Sequence, residues 1–184
     1  MSHDADRTAL GTALVAELAK KTGVCWLRPD PAAGPGVPMR WHAVWHAWAE
    51  DALCLVSGGT EQPLPDLPDG ARVEVVMRSK DNGGRLLTWV GTASVVPPGS
   101  EHWGPATGAL VTGRLNAPDL TTAADGWART SVVRRVVPTG ELVEAPGDLS
   151  DTDHRATPVG SPATTRGPLP RILHRRVTRR PKLS

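Results

Sequence analysis

Glycine and proline limit the architecture open to this chain. Nineteen glycines and eighteen prolines make up a fifth of its 184 residues, and they recur so often that few runs are long enough for a helix. An all-helical bundle is disfavoured, and short strands between turns are what the punctuation permits. One segment escapes it. Residues 5–22 set Leu10, Leu14 and Leu18 on one stripe with Val15 alongside, and Lys20, Lys21 and Gly23 follow at the end. That pattern predicts a helix with a basic last turn and a glycine stop.

Beyond it, residues 24–27 and 39–48 read as a hairpin across the Pro/Gly-rich stretch 28–38, and residues 52–56 form a third strand. Strands over 72–78 and 86–96 are joined by the turn signal Lys80-Asp-Asn-Gly-Gly. Helices are predicted over 100–115 and 119–129, then a sixth strand over 131–137 that Thr139-Gly140 turns. The sum is a mainly β (α+β) domain in residues 1–145, a six-stranded antiparallel barrel with flanking helices. Residues 146–184 carry Pro, Gly, Ser, Thr and Arg without apolar periodicity and read as a disordered basic tail.

Charge divides along the same line. Residues 154–184 hold eight Arg or Lys and no acid, leaving thirteen basic against nineteen acidic residues before them. The tail is therefore a candidate nucleic-acid contact, a reading whose mark would be steep salt dependence. No apolar run approaches the roughly 20 residues needed to cross a bilayer. The N-terminus is acidic where a signal peptide is basic. A cytoplasmic protein without a membrane partner is expected.

Chemistry-bearing motifs are sparse. Cys25 and Cys54 match neither a redox pair nor a zinc framework. His42 and His46 would stand about 13 Å apart on a strand, too far to share an ion, and no metal site is expected. No nucleophile elbow, dinucleotide fingerprint or Walker loop is present. With no Phe or Tyr, aromatic contacts fall to seven tryptophans. In Trp41-His-Ala-Val-Trp45-His-Ala-Trp48, residues 41 and 45 share one face of a strand while 42, 44, 46 and 48 share the other; core face and ligand wall are both open readings. Ser57-Gly-Gly-Thr60 ends one strand, and Arg78, Lys80 and Arg85 surround the next strand's exit. Hydroxyls, glycine N–H groups and fixed cations are what a phosphate requires, although a glycine pair also serves simply to turn a chain.

The order of elements, with Gly36-Val-Pro38 before the second strand, Asp51-Ala-Leu-Cys-Leu-Val-Ser57 along the third and Gly91-Thr-Ala93-Ser-Val-Val before the late helices, resembles the pyridoxamine 5'-phosphate oxidase-like split β-barrel flavoproteins over about residues 8–142. The resemblance implies a homodimer holding FMN or a deazaflavin, sometimes haem, between subunits. By position it implies that Arg40, His42, Ser57, Gly59 and Thr60 line the cofactor's phosphate and ring edge, and that Arg78 and Lys80 add charge. It names no catalytic residue. Many FMN-binding relatives carry an Arg-Lys pair after the third strand, where this chain has Glu61-Gln62-Pro63. On an exposed turn Glu61 would repel a phosphate. The expected activity is therefore a flavin- or deazaflavin-dependent oxidoreductase; the alternative, which Glu61 favours, is a non-catalytic dimeric protein that binds a small molecule.

Overall fold

The computed structural model describes residues 2–30, 40–64, 67–81, 84–114, 121–147 and 149, with side chains from residue 11 onward. The Gly36-Val-Pro38 entry and nearly all of the predicted tail lie outside the described residues. The elements in chain order are α1 (Ser2–Lys21), β1 (Val24–Pro29), β2 (His42–Trp45), β3 (Ala47–Ala49), β4 (Ala52–Ser57), β5 (Ala71–Arg78), β6 (Arg85–Val95), α2 (Trp103–Gly113), α3 (Ala123–Thr130) and β7 (Val132–Glu144). No described helix is long and apolar enough to cross a membrane.

All strand pairs are antiparallel, in the order β2-β1-β5-β6-β7-β4-β3. The sheet begins and ends on two halves of one run. β2 pairs with β1 at one edge, β3 pairs with β4 at the other, and only His46 separates them. The sheet thus closes through the chain, and counting 42–49 as one bent strand yields the expected six. At the bend the side chain of Gln62 replaces a neighbouring strand. Its Oε1 accepts from Trp45 N–H at 2.7 Å, and its Nε2 donates to the carbonyls of Trp45 at 2.9 Å and Val56 at 3.2 Å.

β7 runs past the predicted stop at Thr139-Gly140. Gly140 takes φ +86°, Thr139 Oγ1 donates to the Val90 carbonyl at 2.9 Å, and pairing resumes at Leu142–Trp89 and Glu144–Thr88. The turn residues are absorbed as an irregularity in the ladder because β6 offers eleven residues of edge to pair with.

Alternation along each strand builds the core. Leu27, Val44, Leu53, Leu55, Val73, Val75, Met77, Leu87 and Trp89 fill the barrel, and α1 adds Val15 and Ala19. Each such apolar side chain contributes about 1.5–3 kcal/mol by leaving water. β4 is buried on both faces, because Cys54 and Val56 point the other way into a second cluster with Val133, Leu110 of α2 and Trp127 of α3. The tryptophans of the 41–48 run divide accordingly: Trp48 packs on the barrel core, Trp45 on the second cluster. Trp41 stays 38% exposed with the Arg28 guanidinium 4.3 Å above its ring.

Candidate functional site

The predicted site residues fall into three groups on different parts of the barrel. Arg78 and Lys80 lie at the exit of β5 and line a cavity of about 350 Å³ with Ser79, Trp26 and the α1–β1 junction, residues 22–24. The guanidinium of Arg78 sits 4.8 Å over the Trp26 ring, a cation–π contact that fixes a charge on the cavity wall. Thr22 closes α1, donating through both N–H and Oγ1 to the Leu18 carbonyl.

His46, at the bend of the barrel, holds this wall from behind. Its N–H donates to the Gly23 carbonyl at 3.1 Å, and its Nε2 lies 3.2 Å from the Ala19 carbonyl, so Nε2 carries the proton in the neutral ring. The ring is buried and its Nδ1 has no partner among the described residues. Burial lowers its pKa to about 4, against a smaller opposing effect of the Ala19 carbonyl.

The second group, Ser57, Gly59 and Thr60, leaves β4. Gly58 and Gly59 take φ +83° and +62°, which glycine adopts without steric cost. A Cβ on Gly59 would lie 2.9 Å from the Thr130 carbonyl. Gly58, Gly59 and Thr60 are exposed, while Ser57 at the strand end is not. Ser57 is buried and its Oγ accepts from Arg134 Nη1 at 3.1 Å, Gly58 N–H donates to the Gln62 carbonyl, and Ser131 Oγ donates to the Gly58 carbonyl.

Glu61 differs from the expectation of an exposed, repelling charge. Its side chain is 4% exposed, and Oε1 accepts from Arg114 Nη1, just past α2, and from Trp127 Nε1 of α3 at 2.8 Å. Its charge is matched within the fold.

The third group, Arg40 and His42, sits at the start of β2. His42 is half-buried opposite Leu27, at the far end of the β1–β2 ladder from the cavity, where Trp45 faces Val24. In the closed order β4 and β5 are diametrically opposed, with two strands between them either way round. One chain therefore unites Arg78 with Lys80 and Ser57 with Gly59 and Thr60, but does not bring the three groups to one point.

Sequence reasoning missed Arg28, whose Nε and Nη2 lie 2.8 and 2.7 Å from Glu74 Oε2 while its guanidinium covers Trp41. Nothing local in the sequence joins Arg28 to Trp41, thirteen positions away, since the β1–β2 pairing brings them together. Both thiols are free and buried. Desolvation pushes Cys25 well up, and pushes Cys54 up to about 11 despite the nearby positive charge of Arg135, so neither is a thiolate at neutral pH. Among the described residues no group of three or more His, Cys, Asp or Glu is placed to hold a metal ion.

No family model and no curated protein matches the chain. Solved structures do. A conserved hypothetical protein from Mycobacterium tuberculosis is 16% identical and aligns over 69% of this chain and 79% of its own, with a TM-score of 0.52. The haem storage protein HutZ from Vibrio cholerae is 15% identical over 71% of this chain and 91% of its own, with a TM-score of 0.48. A candidate pyridoxamine 5'-phosphate oxidase from Listeria innocua is 16% identical over 72% and 97%, with a TM-score of 0.44. At such identities likeness speaks to fold alone, and the Mycobacterium tuberculosis protein shares the fold of this chain, a mainly β antiparallel barrel with helices packed on it.

Proposed function

We propose that the protein is a flavin- or deazaflavin-dependent oxidoreductase of the split-barrel type, working as a homodimer, with the cofactor's anionic end in the cavity beside Arg78 and Lys80. The observation that carries this reading is the composition of that cavity. Arg78, Ser79 and Lys80 line it together with Trp26 and Val24, and the Arg78 guanidinium lies over the Trp26 ring. Such a wall suits a ligand that joins a phosphate to a flat apolar ring. Arg78 and Lys80 would take the phosphate, and Trp26 would pack against apolar ligand surface. When bound, a flavin-type ring supplies hydride chemistry, and the protein's part is to bind it, orient it and keep water away.

Two copies of the chain are the economical way to use the remaining candidates. Arg40, His42 and the loop 57–60 stand on other sides of the barrel, so a site uniting them with Arg78 and Lys80 requires an interface. Sedimentation at micromolar concentration should return a dimer, and a monomer would remove this part of the proposal. The non-catalytic alternative loses its particular support, since Glu61 is paired with Arg114 and presents no bare charge to a phosphate.

The test is direct. The protein purified from its native source is expected to carry a chromophore identifiable by absorbance and mass, and the stripped protein should bind FMN or a deazaflavin with quenching of tryptophan fluorescence. Lys80→Ala should weaken that binding by about 1.5–3 kcal/mol, roughly 10- to 100-fold. Unchanged affinity in Lys80→Ala and Arg78→Ala would sink the assignment of the cavity.

A further inference from the structure

We propose that the exit of β4 is an anion receptor whose ligand is the chain's own Glu61, so that an external carboxylate or phosphate monoester binds there only when Glu61 is withdrawn. The inference does not rest on the Arg78–Lys80 cavity, but the loop 57–60 that leads into Glu61 is also placed in the dimeric cofactor site above, so the test below uses inorganic phosphate and no flavin.

The donors come from elements other than the loop that carries the carboxylate. Arg114 follows the last turn of α2, where the helix's carbonyl ends favour a cation. Trp127 is buried in α3, seated in the cluster with Cys54, Val56, Leu110 and Val133. Core packing therefore seats the Trp127 indole N–H, and the end of α2 brings the Arg114 guanidinium beside it. Glu61 arrives separately, on a turn fixed by the three hydrogen bonds of Gln62 and by the glycine pair lying on Thr130 and Ser131. Both donors converge on one oxygen, Oε1. Carboxylate and phosphate oxygens accept from such a pair in the same way, and a tethered carboxylate outcompetes a dissolved one through its high effective concentration. The Arg114 side chain remains 20% exposed, leaving a route to solvent once Glu61 is shortened.

A receptor whose donors are held by the helices keeps them in place without Glu61 and takes up an added anion saturably, whereas donors held only by the carboxylate lose their common position when it is removed. Removing one partner of a buried pair should lower the Tm of Glu61→Ala by about 10 °C in chloride. At matched ionic strength, inorganic phosphate is expected to restore at least half of that loss, to leave the unsubstituted protein unmoved, and to do nothing for the Glu61→Ala/Arg114→Ala double variant. If Glu61→Ala does not fold, Glu61→Gln is followed through the Trp127 indole N–H resonance, assigned by its loss in Trp127→Phe. That signal should move on substitution and shift again, saturably, with phosphate. Absence of a phosphate response in the variant that folds, or an equal response in the unsubstituted protein, overturns the proposal.

Discussion

His46 joins fold and candidate site in one side chain. It bends the strand that closes the barrel, ties the α1–β1 junction behind the cavity, and pays for both with a buried Nδ1 that has no partner among the described residues. A ring held neutral to about pH 4, against about 6.5 in an unfolded chain, makes the unfolded state the better proton binder between those values. The His46 contribution is therefore fully present above about pH 6.5 and is lost as pH falls toward 4, by an amount on the order of 3 kcal/mol. Urea unfolding at a series of pH values should show this fall. The His46→Gln variant keeps a donor for the Ala19 carbonyl but does not titrate, so its curve should be flatter over that window. Parallel curves for the two proteins would contradict this account. The sequence placed His46 on one face with Val44 and Trp48, correctly, but nothing local to residues 41–48 announces a carbonyl of α1 as its partner.

At the scale of elements, two positions show how the strands are forced into register. Gly91 of β6 lies under crowded side chains: a Cβ would stand 2.5 Å from Val136 Cγ1 and 2.7 Å from Trp89 Cζ3. Gly91→Ala should cost about 2–3 kcal/mol in denaturant unfolding, because neither neighbour can move without disturbing the barrel core. The Gly-x-Ala pattern read from the sequence thus has a steric cause. The β3–β4 hairpin turns on Glu50 and Asp51, with φ +46° and +54°, in a loop where Asn-Gly would be usual. Glu50 has a reason to be there: its carboxylate lies 2.9 Å from His102 Nδ1 at the start of α2, and its carbonyl accepts from Arg135 Nη2 at 2.9 Å. Asp51 is exposed, and Asp51→Gly should raise stability by about 0.5–1 kcal/mol by relieving the left-handed backbone. A loss of stability would show that the Asp51 side chain serves the turn.

For the molecule as a whole, β1, β4, β5, β6 and β7 each pair with two strands, and β2 and β3, each paired with one, are joined to one another through His46. Far-UV circular dichroism and tryptophan fluorescence are expected to report one coincident unfolding transition for the barrel, and separated transitions would show that the helices of the second cluster melt apart from it. What the sequence determined by itself was local: the α1 stripe, the strand spans, their alternating faces and the order that resembles a split barrel. Periodicity and turn chemistry act over a few contiguous residues; they failed at His46, where the strand predicted over 39–48 divides into β2 and β3, and at Thr139-Gly140, where the length of β6 prevailed. Tertiary structure alone decided which charges meet. Glu61 finds Arg114 and Trp127 at 53 and 66 positions' separation, and Arg78 shares a cavity with Trp26 while Ser57 lies across the barrel. Strand order and helix packing set those distances, and neither is written in the spacing of the residues they bring together.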